Sequence, residues 1–145
     1  MPAPLKGKLD VRNSPLVRRH HPWRPIDLKA IVLFAHGSRD PLWRVPIESI
    51  AQRIQDKDPS QLVDIAYLEL NEPDLKTCVA SLVSQGAREI KLFPLFLGVD
   101  KHARQDLPLM VEEVKTLHPQ LQIKVLPSAG EMPEVVDFLA QLALN

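Results

Sequence analysis

The sequence predicts an α/β fold: a three-layer, four-stranded parallel sheet of order 2-1-3-4 with helices on both faces. Three observations predict it. From Ala30 onward, four strand-length apolar runs alternate with four segments of helical periodicity, joined by short connections. The runs that begin at Ala30 and Ile90 are almost wholly apolar, as parallel strands buried on both faces must be. The other two carry Asp64 and the pair Gln122 and Lys124, so they belong at the edges.

Residues 1–29 stand apart. They hold five prolines, show no helical or alternating pattern, and carry seven lysines and arginines against two aspartates, a net of +5 that leaves −5 for the rest. The expectation is a basic, poorly ordered extension, followed by one α/β domain over 30–145. His20 and His21 within it lack the preorganised third ligand of a selective metal site.

The elements then follow in order. Ala30 to Ala35 (AIVLFA) is the first strand, and Leu42 to Lys57 the first helix, with Val45, Ile47, Ile50, Ala51 and Ile54 near helical spacing. Leu62 to Leu68 is the second strand. Pro73 suits the first turn of the second helix, which runs to about Gln85 and is ended by Gly86. Ile90 to Leu97 is the third strand, Arg104 to Leu117 the third helix, Leu121 to Leu126 the fourth strand and Pro133 to Leu144 the last helix.

Composition excludes several classes. At 145 residues and 45% apolar content, the chain suits a single domain. Its only cysteine, Cys78, falls in a helix, so no disulfide framework or thiolate cluster is available, and a reducing cytoplasm is the expected setting. Neither a membrane span nor the apolar core of a signal peptide is present. A formal charge of zero argues against a nucleic-acid partner. Among Gly7, Gly37, Gly86, Gly98 and Gly130 there is neither a P-loop nor a dinucleotide fingerprint. HGS lacks the nucleophile elbow of a hydrolase, and Ala35 stands where a histidine phosphatase would place arginine.

With strands one and three central, right-handed crossovers put the topological switch point between them, and ligands of open α/β sheets bind beyond the strand ends there. His36 follows the first strand and His102 the third. Two neutral imidazoles on adjacent rigid strands supply half a coordination shell for a divalent metal. Glu69, just after the second strand, is the third candidate ligand, and the set leaves positions open for exchange. In the first loop, Gly37 permits close backbone approach and Ser38 is a candidate helix-start signal. Arg39, Arg44, Lys101 and Arg104 could receive substrate carboxylates, and Gly98 opens the third-strand loop. His118, in LHP at a helix end, reads as a favourable C-terminal cation.

The segments AHGSRDP, AYLELNEPDL and LFPLFLGVDKHARQDLP, in this order and spacing, resemble the small single-domain class II tetrapyrrole chelatases, the sirohydrochlorin cobaltochelatase and ferrochelatase family. The resemblance covers Ala30 to about Leu144. The loop GVDKH departs from the family pattern PLFLxxGxHxxxDxP in the placement of its glycine, Gly98. The resemblance implies ATP-independent insertion of Co²⁺ or Fe²⁺ into sirohydrochlorin, toward cobalamin or sirohaem, with Ni²⁺ a third candidate metal and no tightly bound cofactor. It implies catalytic and metal-handling roles for His36, His102 and Glu69. It also implies a homodimer, because longer class II chelatases carry two such lobes in one chain. A non-catalytic metal or tetrapyrrole carrier using the same crevice is the alternative.

Overall fold

The computed structural model describes residues 28–145. The expectations for the basic extension, including His20 and His21, therefore fall almost entirely outside the described residues. Its last two positions do not: the first strand, β1, runs Leu28–Ala35, because Leu28 and Lys29 already pair with Ala87 and Glu89.

The remaining elements are α1 (Val45–Lys57), β2 (Leu62–Tyr67), α2 (Leu75–Ser84), β3 (Ala87–Pro94), α3 (Lys101–Leu117), β4 (Gln122–Val125), a 3-10 turn (Ala129–Glu131) and α4 (Pro133–Leu144). All strand pairs are parallel, and the order is β2-β1-β3-β4, as polarity predicts. Ala30 aligns with both Leu62 and Ile90, and Ile90 with Ile123, so one row crosses the whole sheet.

Period two divides β1 between two layers. Ala30, Val32 and Phe34 face a large core shared with α2 and α3, while Ala35 joins Ile47 and Tyr67 in a smaller core under α1. Val32, Leu33 and Phe34 are wholly buried, each stabilising the fold by about 1.5–3 kcal/mol relative to exposure.

Several helix starts differ from expectation, and one cause accounts for two of them. Asp74 and Asp100 are the caps, accepting from the main-chain N–H groups of Thr77 and Ala103 at 2.8 Å each. Helix α2 therefore begins after Pro73, whose peptide bond with Glu72 is cis, and not at it. Helix α3 begins three residues earlier than Arg104, which places His102 in its first turn and not in the loop. Gly86 ends α2 with φ +104°, as expected. At α1, Ser38 is not the start signal: its hydroxyl accepts from Asp40 N–H at 3.1 Å within the loop, and the helix begins at Val45 with Pro46 in its first turn.

Among the described residues no helix is long and apolar enough to cross a membrane.

Candidate functional site

His36 is the first residue beyond β1, and the carboxyl ends of three strands hold it in place. The main-chain carbonyls of Phe34, Ala35 and His36 accept from Leu95, Leu68 and Glu69 N–H at 2.7, 2.8 and 3.1 Å. Thus β1 carries its neighbours' exits with it past the end of the ladder. Phe96, nearly buried, stacks edge-on against Phe34 at 5.9 Å and against the His36 ring at 6.4 Å, giving the imidazole a rigid aromatic wall.

Two carboxylates flank that imidazole. Glu69 Oε1 is 3.6 Å from Nδ1 and Asp100 Oδ2 is 3.7 Å from Nε2. Both separations exceed hydrogen-bond length. The side chains are 39% exposed for His36, 47% for Glu69 and 59% for Asp100, so the arrangement is open to solvent.

Asp100 divides its two oxygens between two tasks. Oδ1 accepts from Ala103 N–H and caps α3, while Oδ2 faces His36. The Ala103 N–H, with smaller contributions from His36 and His102, holds this carboxyl below the usual aspartate range. One anion therefore senses both histidines.

The loop before α1 is fixed from the β2 side. Gly37 has φ +105°, and a β-carbon there would overlap the Glu69 carbonyl oxygen. Ser38 N–H donates to the Asn71 side chain at 2.7 Å, tying the two loops together.

The predicted residues do not all converge. His36 and Glu69 come together as expected. His102, carried by the first turn of α3, instead directs Nε2 at Asp106 Oδ2, 3.0 Å away and one helical turn on. Among the described residues, no three His, Cys, Asp or Glu side chains gather closely enough for a ready coordination shell, so His36, His102 and Glu69 are not a closed triad.

Of the basic candidates, Arg44 lies 3.9 Å from Glu48, and Arg104 donates to the Val99 carbonyl at 3.3 Å. Arg39 and Lys101 are exposed, with no ion pair among the described residues. Nothing lies within 4 Å of where a Gly98 β-carbon would be, so Gly98 is not required by close packing. His118 occupies the C-cap of α3.

Sequence reasoning saw Asp100 and Asp106 only as charged residues of the third-strand loop, without a role, and passed over Asn71 and Phe96. Only Asp100 had a local signal, an aspartate immediately before a helical run. The other three act through contacts between segments far apart in sequence, or through a helix register that depends on that cap.

The CbiX family model matches residues 30–144. The sirohydrochlorin cobaltochelatase of Methanococcus aeolicus is 32% identical over 81 residues, which cover 56% of this chain and 57% of that protein. The chain thus spans less than two thirds of that curated relative. Among solved structures, a CbiX protein of cobalamin biosynthesis from Marinobacter aquaeolei superposes with TM-score 0.69 at 31% identity, covering 79% of this chain and 91% of that one. The sirohydrochlorin chelatase SirB of Bacillus subtilis subspecies spizizenii, in complex with cobalt, superposes with TM-score 0.68 at 27% identity, covering 79% and 49%.

Proposed function

The chain belongs to the CbiX family, whose model spans its residues 30–144, and on that premise we propose that it inserts Co²⁺ or Fe²⁺ into sirohydrochlorin without a nucleotide. The observation that carries this reading is the His36 imidazole set between Glu69 and Asp100 at 3.6 and 3.7 Å, at the open carboxyl end of the sheet. Two donors each about 2.1 Å from one ion stand about 3.0 to 3.6 Å apart for angles of about 90 to 120°. A nitrogen and a carboxylate oxygen just beyond hydrogen-bond reach are therefore spaced to share a cation. The relatives' names, cobaltochelatase and ferrochelatase, support the same substrates.

Insertion exchanges one divalent cation for two pyrrolic protons, so the ring's net charge is unchanged. The protein must loosen the water around the metal, hold it weakly, and accept two protons. A neutral imidazole has one lone pair, so His36 would present the ion on one ring nitrogen together with the carboxylate on that side, the opposite nitrogen facing the other carboxylate, and this open coordination favours transfer over storage. His102, whose Nε2 is 3.0 Å from Asp106 Oδ2, is on this reading the second ligand and proton acceptor. A crevice that fits a bent macrocycle better than a flat one would expose the nitrogen lone pairs, which is where binding energy lowers the barrier. On this reading Arg39 and Lys101 meet the ring's carboxylates, and Ser38, Arg44, Gly98 and Arg104 are the further candidate substrate contacts. The metal is a substrate, and no tightly bound cofactor is needed.

The same reading places the reaction in the cytoplasm and the active form as a homodimer. The test is turnover: with sirohydrochlorin and Co²⁺ or Fe²⁺ under anaerobic conditions, the protein should accelerate loss of the free-base spectrum. Equal rates with and without protein reject the enzyme and leave a carrier.

A further inference from the structure

Around the His36 imidazole stand two carboxylates and the edge of Phe96, which is itself nearly buried. Sites for large organic ligands are lined chiefly by apolar side chains, with a few polar groups that fix orientation. The apolar groups that a ring could meet must therefore come from elsewhere on the same loops.

Two leucines meet that need. Leu70 follows Glu69 on the β2 side of His36, and Leu97 follows Phe96 on the β3 side. Each is one residue beyond a group that faces the imidazole, and they are 55% and 70% exposed. Exposed apolar side chains are ordinary on protein surfaces, and α4, none of whose residues is buried, carries several. What sets these two apart is how they are held.

Leu70 has φ +66° and is the only residue other than glycine with positive φ among the described residues. Asn71 N–H donates to the Glu69 carbonyl at 2.7 Å, so Leu70 is the centre of a three-residue γ-turn of the rare, strained hand. Its neighbours hold it there: the Glu69 carbonyl packs where Gly37 has no β-carbon, and the Asn71 side chain accepts from Ser38 N–H. Glycine or asparagine would adopt this conformation with less strain, so local stability does not account for a leucine. Leu97 is fixed by similar means. A β-carbon on Gly130 would overlap the Leu97 carbonyl oxygen, and Gly130 N–H donates to the Phe96 carbonyl at 2.9 Å. Strain that burial does not offset marks a position kept for another reason.

We propose that Leu70 and Leu97 contact the apolar ring of the substrate from either side of His36 and centre it over the imidazole. The occupant is a broad ring with apolar faces and carboxylates at its edge, as in the function proposed above, on which this inference rests. A bare cation needs no apolar contact, so the leucines act on ring binding and not on metal binding. Because their backbone is already fixed, little further order is lost when the ring arrives.

Binding of metal-free sirohydrochlorin, followed by its absorbance under anaerobic conditions, tests this beside Co²⁺ binding measured by calorimetry without the ring. Leu70→Asn and Leu97→Ser should each weaken ring binding at least fivefold and raise KM for the ring by a similar factor, with Co²⁺ affinity unchanged. Leu70→Asn should not lower the urea midpoint, because asparagine accepts the turn. Leu70→Met should recover most of the ring affinity that Leu70→Asn loses, since it restores the apolar volume. Unchanged ring affinity in either variant, beside a wild type that binds the ring and turns it over, overturns this inference alone. A wild type that does not bind sirohydrochlorin overturns the proposed function and this inference with it. An equal loss of ring and Co²⁺ affinity would reduce Leu70 to positioning Glu69, and a changed sedimentation coefficient would assign the leucines to contact between copies; either result overturns the ring contact.

Discussion

Gly37 lies directly beneath the main-chain carbonyl of Glu69, so close that a β-carbon at position 37 would overlap that oxygen. The loop that presents His36 and the segment that presents Glu69 are thereby packed backbone on backbone, which lets their side chains approach to 3.6 Å.

Gly37→Ala is expected to separate these two segments. The φ of +105° adds strain to the overlap, and together they should cost about 2 kcal/mol or more. Urea denaturation would read the stability loss. Insertion should fall further than stability does, because His36 moves away from Glu69.

Asn71→Ala tests the second tie between the loops. It leaves the half-buried Ser38 N–H without the acceptor it now has at 2.7 Å. The expected cost is about 1–3 kcal/mol by denaturation. Asn71→Asp, which keeps an acceptor at the same place, should retain most of the stability.

Asp100 can be divided by substitution. Asp100→Asn keeps a side-chain acceptor for Ala103 N–H, so stability should change by only a few tenths of a kcal/mol, roughly. It removes the charge facing His36, so Co²⁺ affinity measured by calorimetry should drop. Asp100→Ala should lose the cap as well, at about 1 kcal/mol. Equal metal affinity in wild type and Asp100→Asn would remove Asp100 from the site.

Cys78 should be inert in the native protein. Burial, with Asp64 and Asp74 nearby, pushes its thiol up to about 12 from the ordinary 9.0. At pH 8 a disulfide reagent should label it only as fast as the protein opens. Because the folded value is raised, this thiol's contribution to stability is complete below pH 9 and is lost as pH rises from 9 toward 12. Cys78→Ala should flatten the alkaline limb of the stability profile in that window.

The order of the sheet was legible because burial on two faces leaves a compositional trace: no polar residue in Ala30–Ala35 and only Lys91 early in the third run, against Asp64, Gln122 and Lys124 at the edges. Of the candidate site, the approach of His36 and Glu69 beyond the first two strands was legible, but the setting of His102 was not. Whether His102 lies in a loop or in a helix depends on Asp100 acting as the cap, a three-residue difference that turns its ring toward Asp106. Phe96 and Asn71 left no trace in sequence, since an edge-on ring contact and a loop-to-loop hydrogen bond depend on chain proximity and not on periodicity. The exposure of α4 was equally hidden. A helical repeat of apolar residues states that a helix must be covered, and says nothing of what covers it.

The account stands most directly on the rate of Co²⁺ insertion into sirohydrochlorin by His36→Ala and His102→Ala, measured beside the wild type under one set of conditions. Both should be slowed roughly a hundredfold or more, with circular dichroism unchanged. Near-wild-type rates in both, with folded protein, would contradict it.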